Sequence, residues 1–143
     1  MNAWKSCIAF IVMIAVAPLA LAHSVSGNWT TTDPKTGHKK ALVHLQVSKK
    51  GTLSGTIVKV YKHAGNTAKC THCTGAFKDK PVKGMHFVWG LKSKGHGKWV
   101  GGKMINPKTG TIFNVNMALE GKKLVVRAHK DHSHVVHKQV WVR

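Results

Sequence analysis

Apolar and polar residues alternate after residue 22 in short runs that match the geometry of β-strands. In residues 41–48, Val43, Leu45 and Val47 fall on one face, because successive side chains of a strand point to opposite sides. Two further inward-facing rows are predicted in the same way: Met85, Phe87, Trp89 and Leu91, and Phe113, Val115, Met117 and Leu119. The pattern predicts a protein built mainly from strands.

The alternating runs predict eight strands, each bounded by residues typical of turns. They are placed near residues 25–31, 41–48, 52–61, 84–91, 98–105, 111–119, 123–129 and 135–142. Tight connections are predicted at residues 49–51, 106–110 and 120–122, and no helix of useful length is expected after Ala22. The prediction is therefore an all-β, eight-stranded antiparallel up-and-down barrel, whose interior is either filled or holds one small ligand.

Residues 1–22 have the pattern of a secretory signal peptide. Lys5 supplies the charged start, residues 7–17 are apolar, and the small residues Ala20 and Ala22 mark a cleavage site. A retained membrane anchor is the alternative, but the apolar run is shorter than the ~20 residues of a spanning helix. We predict cleavage near Ala22 and export of the mature chain to the periplasm or the medium.

The remaining residues, 23–143, are predicted to form a single, strongly basic domain. The whole chain has 23 Lys and Arg, 11 His and four acidic residues, with a formal charge of +19; loss of Lys5 lowers the charge to +18. Such an excess attracts polyanions of any kind. The four acidic residues, Asp33, Asp79, Glu120 and Asp131, are dispersed along the chain, so acid–base catalysis by paired carboxylates is not expected. We therefore predict no enzymatic activity and no cofactor.

Two cysteines, Cys70 and Cys73, remain after Cys7 leaves with the signal. A turn brings residues three apart within disulfide distance, and an exported protein meets conditions that permit a disulfide. The pair lies in residues 63–83, a long segment without periodicity, so a disulfide that fastens this loop is predicted. A redox-active motif is the alternative, but no helix is predicted after the second cysteine to lower a thiol pKa.

The first strand contains Gly27-Asn28-Trp29, the Gly-x-Trp that opens lipocalin-like barrels, where the tryptophan closes one barrel end. Further motifs follow in one order: residues 51–57, 70–75, 78–85, 99–102, 106–110 and 139–143. Together they resemble the bacterial domain-of-unknown-function family 2147, small exported proteins with a lipocalin-like barrel. The resemblance spans nearly all of the mature chain and implies fold and compartment. The resemblance assigns no catalytic or binding residues to this chain. The ligand usually suggested for the family is a lipid or another small hydrophobic molecule.

An apolar cavity is one interpretation of the barrel interior, and a filled core is the other. Lysine and arginine side chains at a cavity mouth would favour an anionic head group, so a fatty acid or anionic lipid is the first candidate ligand. The residues predicted to line such a cavity are Tyr61, Phe87, Trp89, Trp99, Phe113 and Met117.

A zinc or copper site is a second hypothesis, because four histidines crowd the end of the chain: His129, His132, His134 and His137. The alternative is a solvated, histidine-rich hairpin.

A third hypothesis places function on the outer surface, where turn lysines would bind polyanions such as anionic envelope lipids. The alternative is an ordinary solvated surface. We do not expect nucleic acid as the partner, and we expect a monomer. The lysines concerned are Lys39, Lys40, Lys49, Lys50, Lys92, Lys94, Lys98, Lys122, Lys123 and Lys130.

Overall fold

The computed structural model describes residue 14 and residues 24–62, 68–130 and 135–143, with only the backbone of residues 135 and 136. The predicted signal peptide therefore lies, apart from Ile14, outside the described residues. Within the described ranges, no helix is long and apolar enough to cross a membrane. The elements are β1 (Gly27–Thr32), β2 (Lys39–Val47), β3 (Thr52–Val60), a short 3-10 helix (Gly75–Phe77), β4 (His86–Gly95), β5 (Lys98–Ile105), β6 (Ile112–Glu120), β7 (Lys123–His129) and β8 (Val135–Val142).

The eight strands form one closed barrel in which each strand pairs antiparallel with the next. The barrel closes between β1 and β8, where Thr30 pairs with Val142. Closure removes the exposed strand edges that an open sheet of this size would present. The predicted all-β, eight-stranded antiparallel barrel is confirmed.

The fourth strand differs most from its predicted bounds, 84–91. It continues to Gly95 and turns tightly into β5 through His96 and Gly97, whose φ angles are 55° and 73°. Such a two-residue turn needs positive φ at both central positions. Residues 92–94, Lys-Ser-Lys, are all polar and all exposed. They therefore show no alternation of apolar and polar residues from which a strand could be predicted.

The barrel has two different ends. At the closed end, where β1 begins and β8 ends, tight turns join β2 to β3, β4 to β5 and β6 to β7. At the other end, the mouth, longer connections join β1 to β2 and β3 to β4. The interior towards the closed end is filled by fully buried side chains, each contributing roughly 1.5–3 kcal/mol by burial: Trp29, Leu45, Leu53, Leu91, Val115 and Leu124.

Two glycines make room for these large side chains. A Cβ atom on Gly55 would lie 2.6 Å from Leu45 and 2.7 Å from Val88, and one on Gly102 would lie 2.4 Å from Leu91. These distances are far below van der Waals contact, so a side chain at either position would expel a core leucine. Small residues facing large ones thus set the dense packing of this half of the barrel.

A bulge in β4 changes which side chains face inward. Gly55 pairs with Val88, whereas the next residue of β3, Thr56, pairs with His86, so Phe87 has no partner of its own. Phe87 and Val88 are both buried, which interrupts strict alternation. The predicted inward row is therefore wrong at one position, because Trp89 falls on the face opposite to the one that alternation assigns.

Candidate functional site

A cavity of about 380 Å³ occupies the mouth half of the barrel. Both interpretations of the interior thus hold in part, since the closed-end half is filled and the mouth half is open. The cavity walls are mostly apolar, and their apolar residues come from seven of the eight strands and from the β3–β4 connection: Ala41, Val43, Ile57, Val60, Val82, Phe87, Met104, Ile105, Phe113, Ala128 and Trp141.

Aromatic side chains form the deeper part of the cavity. Phe87 and Trp141 pack with their ring centroids 6.0 Å apart, and both are almost completely buried. Closer to the mouth, the ring of His137 packs edge-on against the ring of Phe113, with the ring centroids 5.4 Å apart. The indole Nε1 of Trp141 donates to Oε1 of Gln139 at 3.0 Å, so the one polar group of this large side chain is satisfied.

The rim of the cavity carries more positive than negative charge. Lys35, Lys40 and Lys108 belong to its lining, against a single acidic residue, Asp33. Oδ1 of Asp33 accepts hydrogen bonds from the backbone N–H groups of Lys35, at 2.7 Å, and Thr36, at 3.2 Å. The bond from Lys35 is the main cause of a lowered pKa for this carboxyl, which therefore stays ionised.

Two similar turns supply part of this rim. Asp33-Pro34-Lys35-Thr36-Gly37 joins β1 to β2, and Asn106-Pro107-Lys108-Thr109-Gly110 joins β5 to β6. In each turn, the side-chain Oδ1 of the first residue, Asp33 or Asn106, accepts a hydrogen bond from the backbone N–H of the lysine, at 2.7 Å and 3.0 Å respectively. In each, the glycine N–H donates to the first residue's carbonyl at 2.8 Å. The sequence analysis did not identify these rim residues. The signal that points to them is the repeated five-residue pattern, Asp or Asn followed by Pro-Lys-Thr-Gly.

The cavity lining contains two of the six residues predicted for it, Phe87 and Phe113. Met117 is buried deeper in the filled half, and Trp99 lies half-buried near the closed end, where the two residues pair across β5 and β6. Tyr61 follows β3, with the ammonium of Lys59 4.9 Å from its ring centroid. These residues are not part of the lining.

Trp89, the sixth residue predicted for the cavity, is also not part of its lining. The bulge in β4 turns it away, and it stacks on Phe77 at 5.7 Å between centroids. Phe77 belongs to the β3–β4 connection, so this aromatic pair fastens that segment to the barrel. The prediction was wrong because strict alternation was assumed through the bulge.

The described part of the β3–β4 connection is held in place over the mouth. Cys70 and Cys73 form a disulfide with their Cα atoms 5.3 Å apart, and both are buried. The backbone N–H of Cys70 bonds to Lys80 O at 2.9 Å, and that of Val82 bonds to Ala68 O at 2.9 Å. Since Val82 lines the cavity, the disulfide-bonded segment forms part of its wall.

This segment also contacts one of the two similar turns. A Cβ atom on Gly110 would lie 2.1 Å from the carbonyl oxygen of His72, between the two cysteines. Gly110 also has φ +74°, a conformation that favours glycine. The turn between β5 and β6 and the disulfide-bonded segment therefore pack backbone against backbone.

The four histidines predicted as metal ligands are divided between described and masked parts of the chain. His129 is half-buried at the end of β7, and His137 is exposed on β8, whereas His132 and His134 lie outside the described residues. Over the described ranges, no group of three or more His, Cys, Asp or Glu side chains could hold a metal ion. A zinc or copper site involving all four histidines stays a prediction.

The lysines predicted to form a basic surface are almost all exposed. They are distributed over both ends of the barrel, and Lys40 is half-buried and belongs to the cavity lining. The exposed positions are Lys39, Lys49, Lys50, Lys92, Lys94, Lys98, Lys122, Lys123 and Lys130. Binding of a polyanion to this surface also stays a prediction.

The closed barrel and the cavity at one end define a small lipocalin-like protein. The chain belongs to the family described as "Uncharacterized protein conserved in bacteria (DUF2147)", whose model matches residues 27–143. This confirms the resemblance noted from the motifs. No significant match was found among curated proteins.

The barrel is also similar to a solved structure, protein HP1028 from the human pathogen Helicobacter pylori, described as belonging to the lipocalin family. The TM-score is 0.71 at 18% sequence identity, and the match covers 84% of this chain and 82% of that chain. At this identity, the similarity shows a shared fold.

Proposed function

We propose that the protein is an exported, non-enzymatic carrier or receptor of one small amphiphilic molecule with an anionic head group, such as a fatty acid. The observation that supports this most directly is the cavity, which is apolar inside and carries Lys35, Lys40 and Lys108 at its rim. Binding pockets typically combine apolar walls with a few placed polar groups. An apolar tail would pack against Phe87 and Trp141, with the head group at the lysines.

The size of the cavity supports a single small ligand. Its volume of about 380 Å³ is near the lower end of the roughly 300–1,000 Å³ typical of small-molecule sites. The filled half of the barrel limits the depth of the cavity, because the buried side chains of Leu45, Leu53 and Leu91 occupy the interior between the cavity and the closed end. We therefore propose one short or bent tail rather than a lipid with two long chains.

The positions of the acidic residues support a non-enzymatic role. Asp33 is at the mouth with Oδ1 bonded to backbone N–H groups, Asp79 is exposed in the β3–β4 connection, and Glu120 ends β6 at the closed end. Asp131 lies outside the described residues. The described carboxylates thus occupy separate places, whereas general acid–base pairs in hydrolases face one another across a substrate.

We propose that the chain is exported and that the mature protein works as a monomer in the periplasm or outside the cell, a proposal supported by the signal-peptide pattern of residues 1–22. Anionic envelope lipids and their breakdown products are then the amphiphiles within reach. The formal charge, which is +19 for the whole chain and +18 once Lys5 is removed with the signal peptide, would attract such molecules before neutral ones.

Two valines on the same strand provide the test. Val60 is half-buried and lines the cavity, whereas Val58 is exposed on β3. Val60→Trp should lower affinity for a fluorescent fatty acid by at least about tenfold because the indole fills the mouth, and Val58→Trp should leave it unchanged. Equal effects of the two substitutions, or no binding by the wild type, would contradict the proposal.

Intact mass measurement of protein purified gently from its host is the complementary experiment. We expect an added mass that is lost on organic extraction. A mass equal to that of the bare chain, together with no binding of the fluorescent fatty acid, would exclude the proposed function.

A further inference from the structure

We propose that the two Pro-Lys turns form a clamp for a phosphate monoester head group, so that the ligand is a single-chain alkyl phosphate rather than a carboxylate. This inference rests on the proposed function, since the tail would occupy the same cavity. It is based on where the two turns lie, which groups they leave available and how much charge they carry.

The two turns face each other across the mouth. In the closed barrel, the β1–β2 and β5–β6 connections are four strands apart in a ring of eight, which places them on opposite sides. Both Lys35 and Lys108 belong to the cavity lining. A head group above the tail would therefore lie between two ammonium groups that approach it from opposite directions.

In each turn, one side-chain oxygen of the first residue is already used as a hydrogen-bond acceptor. Asp33 Oδ1 accepts from the Lys35 N–H, and Asn106 Oδ1 accepts from the Lys108 N–H. A backbone N–H only donates, so the atom of Asn106 that faces it is the oxygen, and the NH₂ group remains as a donor. Each lysine backbone is thus tied to its own turn, while its ammonium group is left for a ligand.

Gln139, which lies on β8 and lines the cavity, adds a second side-chain amide donor. Its Oε1 accepts from Trp141 Nε1, an atom that can only donate, so the amide NH₂ of Gln139 also remains as a donor. Ammonium and amide donors therefore dominate the rim. A terminal phosphate, with three strong acceptor oxygens, can use such a set more fully than a carboxylate with two.

The charge at the rim is the third observation. Three lysines against one aspartate leave a formal surplus of two positive charges among the lining residues. A phosphate monoester carries about −1.5 to −2 at neutral pH, whereas a carboxylate carries only one negative charge. Lysine binds phosphate as a compact point charge, and Lys35, Lys40 and Lys108 supply the positive charge of the lining.

A series of ligands with one tail and different head groups tests the clamp. Decyl phosphate, decyl sulfate, decanoate and decanol are compared by calorimetry at neutral pH, below the concentrations at which they form micelles. Decyl phosphate should bind at least about tenfold tighter than decanoate, with the singly charged sulfate between them. Inorganic phosphate alone should bind far more weakly than decyl phosphate, because it lacks the tail.

The double substitution Lys35→Gln and Lys108→Gln should remove the preference for phosphate while leaving decanol affinity unchanged. The matched control is Lys49→Gln with Lys122→Gln, which removes the same charge from two connections that also lie four strands apart, but at the closed end. This control should keep the full preference.

The outcomes separate the inference from the proposed function. Equal binding of decanoate and decyl phosphate would overturn the clamp and leave a fatty-acid carrier. Binding of inorganic phosphate as tight as that of decyl phosphate would also overturn it, because the tail would then contribute nothing. Equal loss of preference in the control would assign the effect to overall charge and reject the clamp. Failure of all four decyl ligands to bind would reject the proposed function itself.

Discussion

The guanidinium carbon of Arg143 lies 4.1 Å from the ring centroid of Trp29, at the closed end of the barrel. The arginine also donates from a guanidinium nitrogen to the carbonyl oxygen of Ser24, and the indole Nε1 donates to Val25 O at 2.8 Å. The two ends of the barrel chain are thus joined here by the cation–π contact and by the hydrogen bond from Arg143 to Ser24, while the bond from Trp29 to Val25 fixes the indole within the first segment. Because β1 and β8 share few ladder partners, these contacts contribute to barrel closure.

Arg143→Ala should lower the free energy of unfolding by about 0.5–2 kcal/mol, the range of a cation–π contact. Arg127→Ala is the control: Arg127 is half-buried on β7 and pairs with Lys138 on β8, so its removal relieves a like-charge pair. It should change stability by less than about 0.5 kcal/mol. Urea denaturation measures both, and equal midpoints for the two variants would contradict the role of Arg143 in closure.

Gly110→Ala should destabilise the protein more than Gly121→Ala. Both glycines have positive φ, +74° and +61°, so each substitution carries a backbone cost of roughly 1–2 kcal/mol. Only the Cβ at Gly110 would collide with His72 O, whereas nothing lies within 4 Å of the Cβ at Gly121. The additional overpacking cost should be about 1–3 kcal/mol. Thermal or urea unfolding that fails to separate the two variants would show that the β3–β4 segment yields at little cost.

Reduction of the Cys70–Cys73 disulfide should lower stability by roughly 2 kcal/mol or less, because the closed loop is short. It should also weaken ligand binding, since Val82 of the same segment lines the cavity. The double substitution Cys70→Ala and Cys73→Ala serves as control, with alanine chosen because both positions are buried. Melting with and without reductant should differ for the wild type and be the same for the double variant. An unchanged wild-type melt after confirmed reduction would exclude a stabilising disulfide.

Asp33 should make stability depend on pH in the acid range. Its pKa is lowered mainly by the Lys35 backbone N–H, so its folded pKa lies below the unfolded value of about 3.9. The stabilisation is therefore complete above that value and is lost as the pH falls through the folded pKa. The difference in urea midpoint between wild type and Asp33→Ala should be constant above about pH 5 and shrink below about pH 4. A difference that persists to the most acidic pH would contradict this assignment.

The sequence by itself determined the barrel. Alternation identified all eight strands, and the bounds of seven agree with the structure to within two residues. Alternation is a local property, so it can be recognised without knowledge of what each strand packs against. The spacing of Cys70 and Cys73 likewise contained enough information for the disulfide.

Only the tertiary structure decided what lies around the cavity. The bulge at Phe87 reversed the facing of Trp89, because its position depends on how β4 pairs with β3. Lys35 and Lys108 are far apart in the chain, and both line the same cavity because barrel closure places their turns on opposite sides of one mouth. Local patterns determine strands and turns, whereas the convergence of distant side chains depends on strand register and barrel closure, which no local pattern contains.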